Sequence, residues 1–543
     1  MPSTPTTKSQ VQAYRFVLRR MQSALVRKDA VMLHDPMRTH SRATIVGAVL
    51  SALAMLGFVV FGLFKPAPKA PDSGIVIGEQ SGAIYVVSGN PKKLVPTFNL
   101  ASARLMLMAQ QQGDSEAGGQ QPVSAVGNVV EPTVVPDEQL KDIPRGRLQG
   151  IPNGPELLPA EDQLVSSDWA LCDETKLDMS LPSDVRSEQA QTETTVFAGL
   201  GDLGEELAQS EALLVAGDNG KTFLIYRQGT DTGDGHTNAV RAEVDLTNSA
   251  VRNALNLDLR QTREISRGLL NAIPAVGEVK APIIQGAETP PQGFDVDGLT
   301  VGSVFSTQRT DSVDYYVVTR SGVQLVPQAV AELIRYQNTT TEDGQIPSVS
   351  PDMLQNVPAV DRNSEDFLDV DYYPEVVPRV LPPEQRPSAC VGWSVDGEGA
   401  NRDARTSVYV LPEAPGPKND QGEPQVVRIG SPSPDGWKVD NFYMQPGYAA
   451  AVRAATTKET FDRGSIQLIS DRGLRYGIPD AATAEGLGLG AKLLKPAPES
   501  IIKLLPVGAS LNTQDVQRTF DAVPVDPSAG SLVADEQASA EGN

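Results

Sequence analysis

Two cysteines and three histidines in 543 residues leave little material for the commonest reaction centres. His34 and His40 precede the long apolar segment, and only His236 follows it, in the loop-like stretch DTGDGHTN. No GxSxG elbow supplies a nucleophile for that histidine, and the ligand set of a zinc site is missing. Neither cysteine stands in a CxxC pair, which excludes the usual thiol redox centre. The acidic run Glu365, Asp366, Asp369, Asp371 and Glu375 lacks the spaced oxygen ligands and central glycine of a calcium loop. It reads as a solvated acidic face. No catalytic residue and no metal ligand is therefore assigned. Basic charge is also scarce: 46 Lys and Arg against 68 Asp and Glu, a net charge of −22 that argues against nucleic acid as a partner.

The charge deficit is unevenly placed. Residues 1–42 hold eight basic side chains, Lys8, Arg15, Arg19, Arg20, Arg27, Lys28, Arg38 and Arg42, against Asp29 and Asp35. Everything after them is strongly acidic. Between the two lies Ala43 to Phe64, 22 positions without a charge. As a helix it extends about 33 Å, enough for a bilayer core of about 30 Å. A cleaved signal peptide would have a shorter apolar core and a small-residue cleavage site, whereas Lys65-Pro66-Ala67-Pro68 follows here. The basic excess on the N-terminal side predicts a single pass with residues 1–42 in the cytoplasm and the bulk exported. Within the head, Val11, Tyr14, Leu18, Met21 and Leu25 recur at helical spacing, with Arg15, Arg19 and Arg20 on other faces. That basic amphipathic helix fits the anionic inner leaflet or a cytoplasmic partner.

Cys172 and Cys390 both fall in the exported part, where an oxidising compartment favours a disulfide over two free thiols.

Gly220-Lys221-Thr222, in LLVAGDNGKTFLIY, spells the end of a phosphate-binding loop. The glycine that should open that loop is replaced by Val215, and Phe223-Leu224-Ile225-Tyr226 reads as a strand rather than a helix. The preferred reading is a hairpin on a type I′ turn at Asn219-Gly220, with the three residues kept only as minor nucleotide-binding candidates.

Three exported segments resemble one another. Each reads strand, glycine turn, strand, proline, short helix: Ile84 to Leu107, Tyr315 to Ile334, and Ile466 to Leu489. Tyr85 to Pro96, Tyr316 to Pro327 and Leu468 to Pro479 are each eleven apart. Such internal repetition is a strong fold clue. The GKT hairpin and the segments NAVRAEVD and TNSAVRNALNL read as a fourth, diverged copy carrying a Gly/Asp-rich insert, Gly229 to Gly235. Proline-valine phrases at 269–282 and 502–511 hint at a repeated connector. The cysteines and Trp169, Trp393 and Trp437 fall between copies and mark a central core. The expected layout is a cytoplasmic segment 1–42, a membrane helix 43–64 and a first repeat 65–112. Linker and core follow at 113–212, the diverged repeat at 213–260, and a connector at 261–310. The third repeat takes 311–340, more core 341–440, the fourth repeat 441–495, a return to the core 496–526, and a disordered acidic tail 527–543.

Beyond these readings, the chain resembles the EccB family, a core membrane component of the type VII (ESX) secretion systems of actinobacteria. The resemblance rests on Gln10-Val11, Arg19-Arg20, Leu33-His34-Asp35-Pro36, Arg38 and Ser41-Arg42 directly before one membrane helix. It continues through Ala83-Ile84-Tyr85-Val86, Asn99-Leu100-Ala101-Ser102-Ala103-Arg104-Leu105, Pro144-Arg145-Gly146, Gly150-Ile151-Pro152, Gly154-Pro155, Trp169-Ala170-Leu171-Cys172, and Cys390 close before Trp393. It implies a mixed α/β, β-rich fold: one transmembrane helix, then a central core with four small strand-turn-strand-helix repeats, tied by a disulfide that maps to Cys172–Cys390. It also implies a hetero-oligomeric membrane complex with other secretion components, including an FtsK-like translocase ATPase. The expected function is a structural component of that machine, without a cofactor. The alternative is an ATP hydrolase, since family members are sometimes catalogued as ATPases. An anchored cell-wall-binding protein is a third reading.

Overall fold

The structure, a computed structural model, describes residues 7–28, 36–64, 69–116, 129–178, 180–182, 190–217, 220–228, 238–310, 312–338, 344–397, 399–430 and 439–524. His236, the insert 229–235, Trp437 and the tail 527–543 lie outside them. The chain divides into two units, Met1–Lys69 and Ala70–Asn543.

The first unit holds two helices. In α1 (Lys8–Arg27) the Thr7 amide donates to Gln10 Oε1 at 2.9 Å, closing the N-terminus. Its apolar stripe, with Val11, Tyr14 and Met21, is exposed. α2 (Pro36–Phe64) starts seven residues before the uncharged segment, with proline at its first position. Within it Arg42–Gly62 is long and apolar enough to cross a membrane.

The second unit is β-rich and built from a repeat larger than the one spelled in the sequence. The first copy runs β1 (Gly74–Gly78), β2 (Ile84–Ser88), β3 (Lys93–Thr97), α3 (Leu100–Glu116) and β4 (Thr133–Val135). β1, β2 and β3 form an antiparallel meander, and β4 returns parallel to β1. The short β5 (Leu148–Gln149) follows, then the core strands β6 (Trp169–Lys176) and β7 (Gln191–Ala198). The second copy is β8 (Glu211–Ala216), β9 (Thr222–Arg227), β10 (Ala239–Val244), α4 (Ser249–Ala254), β11 (Thr262–Glu264) and α5 (Arg267–Ala272). The third is β12 (Val304–Gln308), β13 (Val313–Val318), β14 (Val323–Val326) and α6 (Gln328–Asn338). β15 (Arg379–Val380) joins β8, and the core resumes with β16 (Ser388–Asp396), β17 (Asp403–Leu411), β18 (Val427–Arg428) and β19 (Asn441–Tyr443). The fourth copy is β20 (Ala449–Ala455), β21 (Ile466–Ser470), β22 (Arg475–Ile478), α7 (Ala481–Gly486), β23 (Lys495–Pro498) and α8 (Glu499–Ile502). β24 (Thr519–Phe520) pairs with β5 and so joins the first repeat's sheet.

Each copy closes the same way. After the return strand, which in the third copy is a single parallel bridge from Ser306 to Ser348, a single turn ends on an aliphatic residue followed by proline: Ile143-Pro144, Ile273-Pro274, Val357-Pro358 and Leu505-Pro506. The aliphatic amide bonds to the carbonyl three residues back, on Leu140, Leu270, Leu354 and Ile502. Proline forces its predecessor out of the helical region, so the turn stops and the chain extends. The connector then lies parallel to the third strand. Leu94, Arg241, Val323 and Arg475 each donate to the proline carbonyl and accept from the amide two residues later. This is the repeated connector of which the sequence showed two phrases.

The anchor residues also correct the sequence alignment. Leu94, Val323 and Arg475 are structural equivalents, so Pro96 matches Leu325, not Pro327. The eleven-residue spacing spans turns of different length: four residues between Ser88 and Lys93, two between Thr319 and Gly322, three between Ser470 and Leu474. Gly322 has a specific cause, since a Cβ there would meet the Pro358 carbonyl oxygen at 2.4 Å.

The copies pack in pairs. α3 lies against α7, and the first and fourth copies share a core that includes Ile75, Val86, Leu105, Leu468 and Leu487. α4 lies against α6, joining the second and third copies through Leu214, Val251, Val330 and Leu333. The core sheet, ordered β17-β16-β6-β7-β19-β18, packs Trp169, Leu171 and Val391 against the second and fourth copies.

Candidate functional site

Cys172 and Cys390 face each other across the antiparallel pair β6–β16 and form a disulfide with S–S 2.05 Å and Cα–Cα 4.0 Å. Both are fully buried, with Ala170, Phe197, Leu203 and Leu411 around them. Trp169 and Trp393 pair three positions further along the same two strands.

On the other face of β6 lies Asp173, also buried. Its Oδ1 accepts from Thr194 Oγ1 at 2.8 Å and its Oδ2 from the Ser266 amide at 2.6 Å. Ser266 caps α5, so this carboxylate ties the core sheet to the second repeat's closing turn. Burial pushes its pKa up to about 6, further raised by Asp440 and opposed by the Ser266 and Thr194 hydrogen bonds. Nearby in sequence, Arg263 on β11 is fully buried. Its Nη2 donates to the carbonyls of Leu381 (3.2 Å) and Arg386 (2.9 Å), fixing the segment that leads into β16. Burial pulls its pKa down to about 10, with Glu384 opposing. Neither group carries a local sequence signature. In WALCDETK, alternation would point Asp173 to solvent, but the central strand is covered on both faces.

Gly220-Lys221-Thr222 lies in the β8–β9 hairpin. The Gly217 amide donates to Lys221 O at 2.8 Å and the Gly220 amide to Gly217 O at 3.2 Å. Three residues therefore separate Gly217 from Lys221, and the two-residue type I′ turn expected from Asn219-Gly220 is corrected to a three-residue loop. Gly220 has φ +70°, the left-handed value that this loop requires after its turn. Lys221 Nζ sits 2.7 Å from Glu243 Oε2 on β10, and both side chains are about half exposed. Thr222 opens β9, paired with Ala216 and Val244. The triplet thus lies at the first turn of its repeat, whereas Gly89, Gly322 and Gly473 lie at the second turn of theirs. The strand that follows offers none of the converging amides that a helix N-terminus gives a phosphate.

The acidic run is dispersed along one extended segment. Asp366 pairs with Arg320 at 2.6 Å and Asp371 approaches Arg362 at 3.8 Å. Among the described residues no three His, Cys, Asp or Glu side chains are grouped to hold a metal. Arg15, Arg19 and Arg20 lie exposed on α1.

What this arrangement defines is a repeat-built, β-rich protein with one membrane-length helix, whose most buried polar groups join one element to another. The sequence matches, over residues 3–525, the family model described as type VII secretion system ESX-1, transport TM domain B. The chain belongs to that family, EccB. It is similar to the ESX-3 secretion system ATPase EccB3 of Mycolicibacterium smegmatis, 30% identical over 547 residues, 97% of this chain and 93% of that one. It is also similar to the ESX-1 secretion system ATPase EccB1 of Mycobacterium tuberculosis H37Rv, 27% identical with 96% of each chain covered. Among solved structures it resembles a chain of an intact ESX-5 inner membrane complex, at TM-score 0.64 and 26% identity, covering 98% of this chain and 99% of that one. A second likeness is to the EccB3 dimer from the ESX-3 core complex, at TM-score 0.62 and 25% identity, covering 82% and 100%.

Proposed function

We propose that this protein serves its secretion system as a structural subunit rather than as a catalyst. As an EccB-family member it is a component of a type VII (ESX) secretion membrane complex. The observation that carries the reading is the match of nearly the whole chain, 3–525, to that family together with the likeness to a chain inside an intact ESX-5 inner membrane complex. On this reading the basic head stays in the cytoplasm, α2 crosses the membrane, and Ala70 onward is exported. The support is the eight basic residues before an uncharged segment. The basic face of α1, with Arg15, Arg19 and Arg20, then docks a cytoplasmic component, of which the FtsK-like translocase ATPase is the proposed partner.

A second reading, ATP hydrolysis by this chain, is favoured by the names of relatives, which include the word ATPase. Lys221 is its only motif-based candidate, and the ion pair with Glu243 on a hairpin supports the structural alternative. Purification from native membranes separates the two. The structural reading expects the chain in a megadalton species, with the isolated full-length chain releasing no phosphate from ATP above a no-protein control. Phosphate release that disappears in Lys221→Ala, with folding intact, would establish the second.

A further inference from the structure

The four repeats do not cover their third strand equally. In three of them the chain reaches back four residues past the connector bridge. Val279 N donates to Glu243 O at 2.9 Å, Leu511 N donates to Gly477 O at 2.8 Å, and Gln149 pairs with Thr97. The third repeat departs from this rule. Four residues past Ala359 stands Asn363, whose amide bonds instead to Asp361 Oδ1 at 2.8 Å. Ser364 N closes the same turn onto Asp361 O at 2.9 Å, and the chain leaves the strand. It returns only where the Leu368 amide and carbonyl bond the Gln324 side chain, and where Gln328 N donates to Glu375 O.

What stays open is set by register. Val323 bonds outward to the connector, so Leu325, two residues on, points its N–H and C=O to the same side. No described residue bonds to either group. The edge faces a groove of about 790 Å³ whose lining includes Val313, Tyr315, Leu325, Arg362, Asp371 and Glu375. Leu325 is 58% exposed and Val313 41%. Three carboxylates, Asp314, Asp371 and Glu375, share the groove with one guanidinium; Asp314 is paired with Arg309, and Arg362 faces Asp371. Glu375 has no cation beside it among the described residues, and burial, then Asp371, raises its pKa.

We propose that this edge receives an extended segment from a different subunit, lying along β14 as the connectors lie along the other third strands. Its backbone pairs with Leu325, one apolar side chain covers Leu325 and Val313, and a lysine or arginine meets Glu375 and Asp371. Strand addition supplies the hydrogen bonds and the flanking side chains supply selectivity. The charge argues for a basic segment. This chain's tail, 527–543, carries three acidic and no basic residues, and a second copy brings another acidic body. Only the source of the segment rests on the reading of the protein as a complex subunit.

The first test needs no complex. Full-length protein in detergent micelles is titrated into a fluorescein-labelled peptide of alternating valine and lysine, read by anisotropy. Saturable binding is expected, weakened at least tenfold when glutamate replaces lysine and abolished by N-methylation of alternate amides. Glu375→Gln should weaken it threefold or more, and Leu325→Lys should block it with the melting temperature unchanged. Absent binding, or equal binding of the lysine, glutamate and N-methylated peptides, overturns the proposal. The second test places p-benzoylphenylalanine at Leu325 in the complex from native membranes. An adduct on a lysine- or arginine-bearing segment of another subunit is expected. An adduct on residues 525–543, on a second copy, or at no more than the yield from position Val427 overturns the choice of occupant.

Discussion

Lys221 and Gly220 are neighbours with opposite expected importance. Lys221 makes a surface ion pair with Glu243, and such pairs contribute little. Lys221→Ala should cost about half a kcal/mol in urea unfolding and leave secretion unchanged. Gly220 holds φ +70°, where a β-branched side chain is strained by about 1–2 kcal/mol, so Gly220→Val should lower the melting temperature with no nucleotide present. Asp173 predicts a pH effect. Its folded pKa, about 6, lies above the unfolded 3.8, so the folded state binds the proton more tightly. Its unfavourable burial as a carboxylate is complete above pH 7 and is relieved as pH falls through 6. From pH 7.5 to 4.5 the unfolding free energy of the native protein should gain about 2 kcal/mol relative to Asp173→Asn. Parallel pH profiles for the two proteins would refute it.

At the scale of elements, the repeats were legible because strand pairs with glycine turns and alternating β-branched residues carry a local signal. The return strands and proline connectors were mostly missed, because they are two to four residues long and their pairing is set by tertiary position. The diverged copy was recognised but aligned on the wrong turn, since its second turn contains the insert that the other copies lack. The uncovered edge at Leu325 has no local signature at all; it exists only by comparison with its sister strands. The disulfide gives an element-level prediction. It joins β6 and β16 across 218 residues, and in the chain-entropy model its removal costs on the order of 5 kcal/mol. Cys172→Ala with Cys390→Ala should therefore lower the melting temperature strongly. Because both sulfurs are buried, dithiothreitol should leave the native bond intact in a thiol-labelling assay until urea opens the core.

For the whole molecule, composition and one apolar run were enough to expect a membrane-length helix, and the family match supplies the setting. Function was harder to read, because a subunit's work lies in surfaces whose partners leave no motif. The proposed topology makes a direct prediction. A reporter active only outside the membrane should work when fused after residue 100 and stay silent when fused before residue 40. Reversing Arg15, Arg19 and Arg20 to glutamate should reduce recovery of the assembled complex, measured on native gels, without shifting the melting temperature of the Ala70–Asn543 unit. Unchanged recovery would count against α1 as a docking helix.

The pairing of β6 with β16 also sets a clock for biogenesis. Each repeat's own strands, helix and connector lie in one stretch of sequence, so its local pairings can form soon after it is made. The core sheet cannot, because β16, β17 and β19 are synthesised long after β6 and β7. At 5–20 residues per second, Cys172 waits roughly 10–40 seconds for a partner 218 residues away. With no third cysteine in the chain, an early wrong bond cannot form within one molecule. The error left open to it is a bridge to a thiol of another molecule, a second nascent copy included.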